Sequence, residues 1–157
     1  MNDVGPIRVL LAVLRDTEQD GRDDSHAPQP SLAHLDTLVD QVRAAGVPVA
    51  VEVCGDDRDV PPGVDLSAYR IVQEALTNVL KHAEAAPTKV RLEYADDALT
   101  VTVVDRGGSA SVAADGRGHG LIGIRERVAV VGGEVEAGPH DGGFAVRARL
   151  PYALEDA

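Results

Sequence analysis

Hydrophobic positions along this chain follow two alternating rhythms, one helical and one extended, beginning near Ser31. Leu32, Leu35, Leu38, Val39 and Val42 share one helical face, with Ser31 as the candidate N-cap and Gly46 as the terminator. Val47 to Cys54 alternates apolar and polar residues as a strand does, and the polar turn Gly55 to Asp59 closes it. Pro61-Pro62-Gly63 reads as a stiff connection, after which Asp65 or Ser67 starts a long central helix. Ile71, Ala75, Leu76, Val79, Leu80 and Ala83 form its apolar stripe. Thr88 to Tyr94 and Leu99 to Asp105 alternate again around Asp96-Asp97, which makes a hairpin. Arg106 to His119 is rich in Gly, Ala and Ser, has no apolar stripe, and is expected to be a mobile loop. Leu121 to Val131 is helical. Gly133 to Ala137 and Phe144 to Leu150 are strands joined by the Asp141-Gly142-Gly143 turn.

Consecutive strand pairs point to hairpins, and the early strand-helix-strand unit allows one crossover. The economical arrangement is α+β: a two-layer sandwich with a mixed, mostly antiparallel sheet and its helices on one face. A Rossmann topology would need more alternation of strand and helix. Ahead of this unit, Ile7 to Arg15 is a short helical piece without an N-cap, like the end of something longer. Asp16 to Pro30 carries five acids, one arginine and two prolines without apolar periodicity, and is expected to be a flexible linker. The expected organisation is therefore a helical remnant over 1–15, an acidic linker over 16–30, one domain over 31–151 and a tail over 152–157.

Composition narrows the function classes. The 157 residues suffice for one domain with a real core, built mainly from Val, Leu, Ile and Ala because aromatics are only 3%. A formal charge of -11 argues against nucleic acid and against an anionic membrane surface, both of which require basic patches. No run has the length of a membrane span, and Met1 to Arg8 lacks a secretory apolar core, so a cytoplasmic protein is expected. Cys54 is the single cysteine, which excludes an internal disulfide; it is expected to lie buried in its strand as a small hydrophobe.

The candidate chemistry sits on one edge of the central helix. Glu74, Asn78 and His82 recur every fourth residue, a carboxylate, an amide and an imidazole in one column. Asn is a poor mid-helix residue, and with water and phosphate oxygens its amide could complete a Mg²⁺ octahedron. Glu74 could take a proton from an attacking group or orient it, although a single helix carboxylate is more often just solvated. Lys81 and His82 end the helix, where cations suit both a phosphate and the helix dipole. Asp105 closes a strand before Gly107-Gly108, a sequence that suits a turn and also a carboxylate at a pocket floor. There it would accept from an exocyclic amine such as adenine N6 and repel the guanine carbonyl, selecting ATP over GTP. Gly116-Arg-Gly-His-Gly-Leu-Ile-Gly123 leads into a helix, and its backbone N–H groups could approach phosphate oxygens. His34 lies on a short amphipathic helix, His26 in the linker and His140 in a turn; none belongs to a metal-spaced cluster.

Together these residues resemble the ATP-binding catalytic domain of bacterial sensor histidine kinases, within the Bergerat-fold ATPase superfamily. Glu74-Ala-Leu-Thr-Asn78-Val-Leu-Lys-His82 resembles the N box, Asp105-Arg-Gly107 the first glycine box, and Gly116-x-Gly118-x-Gly120-Leu-x-Gly123 the second. Tyr69 to Asn78 and Gly118 to Arg127 resemble the nitrate- and desaturase-regulating type, and the likeness runs from about Ser31 to Pro151. It implies Mg-ATP as ligand, with Asn78 on Mg²⁺, Glu74 assisting proton removal from an acceptor histidine, and Lys81 and His82 facing the phosphates. Asp105 would bind adenine. Gly107, Gly116, Gly118, His119, Gly120, Leu121 and Gly123 would complete the nucleotide site as its lid. The implied partners are a histidine-bearing dimerisation domain and a response regulator, and the domain alone is expected to be a monomer. Two departures stand out. Ser109 occupies the position of the usual second glycine, and the dimerisation helix pair with its acceptor histidine is absent, Ile7 to Arg15 resembling only the tail of its second helix. A serine kinase of anti-sigma-factor type or a non-catalytic ATP-gated module would share these motifs.

Overall fold

A computed structural model describes residues 31–55, 60–82, 86–106, 117–140 and 142–153; for His82 and residues 117–121 it describes the backbone only. A 3₁₀ turn over Leu32–His34 runs into helix α1 (Leu35–Ala44), followed by β1 (Val49–Cys54), α2 (Pro62–His82), β2 (Thr88–Tyr94), β3 (Ala98–Asp105), α3 (Arg117–Val130), β4 (Glu134–His140) and β5 (Gly143–Pro151). The strands form one sheet in the order β1-β2-β3-β5-β4. β1 and β2 pair in parallel across the α2 crossover, and the other pairings are antiparallel. The fold is α+β, as the residue pattern predicts.

The sheet's period of two assigns each strand residue to a face. Val90, Val101, Val103, Val146, Ala148 and Leu150 turn inward, where they join Leu38 and Val42 of α1, Ile71 and Leu76 of α2, and Ile124 and Val128 of α3 in one buried cluster. Among the described residues the opposite face carries no helix, and it is laddered by charge. One row reads Glu52, Arg91, Thr102, Arg147, Glu136 across all five strands. Cys54 has the same parity as Glu52, so it belongs to this charged face and not to the core where the sequence placed it. It is half-buried, with Sγ 3.6 Å from Glu52 Oε1 and 3.5 Å from Arg91 Nη2. Strand parity overrode its hydrophobic character.

Lys89 Nζ lies 2.7 Å from Glu52 Oε2, and that ammonium, by hydrogen bond first and by charge second, holds the Glu52 carboxyl below its ordinary range. A carboxyl lowered on folding stabilises above its unfolded value and loses that contribution as pH falls through the lowered one. Lys89→Met is therefore expected to reduce Tm slightly above pH 4.5, the ordinary value, with the difference closing toward more acid pH. The pair is exposed, so the effect is small. Thermal unfolding of both proteins across this range checks it, and a gap that widens on acidification would reverse the assignment.

Two helix starts differ from the sequence reading. The Asp65 N–H donates to the Pro61 carbonyl at 3.0 Å, which makes Pro61 the cap and Pro62 the first helical residue. Proline suits that position because its missing N–H would find no helical partner there. Asp65 is instead a clamp: its carboxylate accepts from Ser31 Oγ at 2.7 Å and from the Leu32 N–H at 2.8 Å, tying the entry of α1 to the first turns of α2. Helix α3 begins at Arg117, not Leu121, so Gly118 lies inside its first turn and not in the expected loop, and Gly120 shares that turn. Residues 117–120 carry no aliphatic side chain, so periodicity is blind to them. The helix is carried by the packing of Ile124 and Val128 further on.

Other boundaries hold within a few residues. Ser31 Oγ accepts from the Ala33 N–H at 3.1 Å, and Gly46, at φ +100°, ends α1 in the left-handed region. β4 continues past Ala137 through Gly138 and Pro139, since Pro139 lies on an edge strand where a missing donor is tolerated. The N-terminal piece 7–15, the linker 16–30, residues 107–116 of the expected lid and residues 154–157 of the tail lie outside the described residues.

Candidate functional site

Helix α2 crosses the inner face of β3 and β5, and a cleft opens where β3 ends. Its polar lining is the Asn78 amide and the Asp105 carboxyl; the remaining walls are Ala75, Val79, Val103, Phe144 and Val146. The free space, open mouth included, is about 220 Å³. Much of that space is open to solvent, so the cleft is a shallow one.

The two polar residues reach the cleft for simple geometric reasons. Ala75, Asn78 and Val79 fall at i, i+3 and i+4, one face of α2, and that face looks at the sheet. Asp105 has the inward parity of Val103 and Val101, so its carboxyl points toward the helix and not toward solvent. Asn78 is 6% and Asp105 5% exposed, so an amide and a carboxylate border the cleft from buried positions.

Of the remaining sequence candidates, Glu74 sits half-buried one turn before Asn78 and does not line this cleft. Lys81 is exposed in the last turn of α2. His82 ends the same helix. The backbones of Gly118, His119, Gly120 and Leu121 form the opening turns of α3, and Gly123 follows half-buried in that helix. Gly107 and Gly116 lie outside the described residues. Among the described residues no group of three or more His, Cys, Asp or Glu side chains could hold a metal ion.

Sequence reasoning missed two features. One is that α2 is buried on its polar side as well, at Ser67, Arg70, Gln73 and Thr77. Arg70 Nη1 donates to Gln73 Oε1 at 2.7 Å, Thr77 Oγ1 donates to the Gln73 carbonyl at 2.8 Å, and Ser67 Oγ reaches the Arg127 carbonyl of α3 at 3.4 Å. Of these bonds the Ser67 one crosses to α3 while the other two stay within α2, and the seam's signal was the i, i+3, i+7 spacing of Arg70, Gln73 and Thr77. The other is Phe144, which read only as a strand residue. Register makes it the direct partner of Asp105, a relation no single-strand pattern contains.

The profile of the histidine kinase-, DNA gyrase B-, and HSP90-like ATPase family matches residues 63–154, more than half of the chain. The sensor histidine kinase YxjM of Bacillus subtilis is 33% identical over 139 residues, covering 82% of this chain and 33% of that protein. The sensor histidine kinase LiaS of the same organism is 29% identical over 152 residues, covering 96% of this chain and 40% of its own length. The chain thus spans a third to two fifths of these curated relatives. The histidine kinase domain of the blue-light activated histidine kinase EL346 of Erythrobacter litoralis superposes with a TM-score of 0.59 at 22% identity, over 97% of this chain and 76% of that one, a likeness of fold.

Proposed function

The chain belongs to the histidine kinase-, DNA gyrase B-, and HSP90-like ATPase family, and we propose that it is the nucleotide-binding catalytic domain of a cytoplasmic sensor histidine kinase. The observation that carries this reading is the meeting of Asn78 and Asp105 in one half-apolar cleft. Asp105 accepts a hydrogen bond from the exocyclic amine of adenine, and the aliphatic walls bury the heterocycle. The Asn78 amide would supply one oxygen ligand to Mg²⁺. That fits an ion which keeps several waters and takes its other ligands from nucleotide phosphates, and it fits the lack of a protein cage among the described residues. Mg²⁺, when bound, neutralises developing charge on the phosphoryl oxygens, a term that a chain of net charge -11 does not supply by itself.

Glu74, one turn from Asn78, orients the acceptor imidazole or takes its proton. The γ-phosphorus then forms a bond to an imidazole nitrogen as its bond to the β,γ-bridging oxygen breaks, leaving ADP. Lys81, at the end of the same helix, meets the phosphates. The histidine belongs to a dimerisation domain, from which a response regulator receives the phosphoryl group. Among the described residues no helix is long and apolar enough to cross a membrane.

The test is phosphorylation of an added dimerisation-helix domain from labelled ATP, followed by acid treatment. Acid-labile phosphohistidine is expected. Acid-stable phosphoserine would make the chain a serine kinase of the same fold, and ATP binding without transfer would make it a nucleotide-gated module. A second measurement addresses the metal. With Asn78→Ala, ATP affinity is expected to become nearly independent of Mg²⁺ in calorimetric titration, and an unchanged Mg²⁺ response would remove Asn78 from the metal.

A further inference from the structure

We propose that Phe144 is the aromatic wall of the base subsite and sets its preference for a purine over a pyrimidine. The inference rests on the adenine reading of the cleft and adds a second determinant to it. Asp105 alone leaves a gap in specificity. A carboxylate that accepts from the amine of adenine rejects guanine, which presents a carbonyl there, but cytosine carries an amine beside a ring nitrogen just as adenine does. Hydrogen bonding to Asp105 therefore does not separate ATP from CTP. Ring area does, and only a side chain that stacks on the ring reads area beyond simple burial.

Phe144 is the only phenylalanine of a chain without tryptophan, and the cleft's other nonpolar walls are alanine and valine. It is half-buried, packing on the core while bordering the cleft, so ordering it costs little on binding. Its position relative to the carboxylate is held twice. It is the β5 partner of Asp105 in the sheet register, and the preceding Gly143 lies so close to the end of β3 that a Cβ there would fall onto the Asp105 carbonyl oxygen. The carboxyl that reads the amine and the ring that reads the heterocycle are thus neighbours with a fixed spacing. Stacking of a base on an aromatic side chain grows with overlap, which a bicyclic purine offers in larger measure than a pyrimidine.

The experiment is calorimetric titration of the full chain with ATP and with CTP, for the natural sequence, Phe144→Leu and Phe144→Tyr, with Tm recorded for each. The natural chain is expected to prefer ATP by roughly tenfold or more. Phe144→Leu keeps apolar bulk and removes the π face, so ATP affinity falls roughly tenfold, CTP affinity changes little, and the preference collapses. Phe144→Tyr keeps the preference. A natural chain that binds ATP and CTP equally overturns the proposal without any variant. So does a Phe144→Leu protein whose ATP and CTP affinities both stay put or fall in equal proportion, the latter being a structural effect only. If the natural chain binds ATP and Asp105→Ala abolishes binding while Phe144→Leu changes nothing, the adenine reading stands and the aromatic wall alone is lost. Failure of the natural chain to bind any adenine nucleotide sinks both.

Discussion

Asp105→Ala is expected to lower ATP affinity by about a hundredfold or more while leaving a folded protein. The carboxyl is 5% exposed at the end of β3, in a cleft whose other walls are mostly aliphatic. A hydrogen bond to a charged acceptor is worth about 1.5–3 kcal/mol even after water is repaid, and the upper end applies where solvent is excluded. Each 1.4 kcal/mol is tenfold in affinity, so 3 kcal/mol is on the order of 150-fold. Asp105→Asn is the sharper variant. Its amide can present either an N–H or a carbonyl, so it accepts guanine as readily as adenine, and the ATP-over-GTP ratio should approach one. Titration of both variants with both nucleotides, alongside far-UV circular dichroism, checks the claim. Retention of natural ATP affinity in Asp105→Ala, with its fold intact, would take the base out of this cleft.

How much of this was legible in the sequence depends on whether each feature is local. The stripe Ile71, Ala75, Leu76, Val79 is a property of one helix, and the burial of those four residues in the structure follows from spacing alone. Asn78 stood out because an amide among leucines and valines in mid-helix serves packing poorly, and Asp105 because it closes a strand just before Gly107-Gly108, where a carboxylate suits a pocket floor as well as a turn. Both judgements need only the residue and the positions that flank it in sequence. Pairing is different. Phe144 meets Asp105 through antiparallel register between strands that are 39 positions apart at that point, and no pattern within either strand fixes that register. Cys54 shows the converse error. Its alternation was visible, but its side-chain type was weighted above its parity, and parity prevailed. The start of α3 escaped because a helical turn without apolar residues leaves no periodic trace.

Gly143→Ala is expected to damage stability and nucleotide binding together, and the pairing of those losses is the informative part. The antiparallel ladder of β3 and β5 runs from Ala98↔Pro151 to Asp105↔Phe144, and Gly143 stands just past its last rung. A Cβ at Gly143 would strike the Asp105 carbonyl oxygen, and would come within 2.7 Å of the carbonyl carbon and 2.9 Å of the Arg106 Cα. These are backbone atoms and cannot swing aside as a side chain would. Relief requires the strand ends to part, at a cost of about 2 kcal/mol by analogy with overpacked cores. For a domain of this size that corresponds to roughly 4–8 °C in Tm. Parting the strands also moves Asp105 away from Phe144, so ATP affinity drops even in the protein that remains folded. Gly138→Ala is the control, since no heavy atom lies within 4 Å of a Cβ built there and its φ is not in the left-handed region. It should leave Tm and ATP titration unchanged. If Gly143→Ala loses stability but keeps full ATP affinity, the close approach of β5 to β3 is a feature of the sheet alone, and the base subsite does not depend on it.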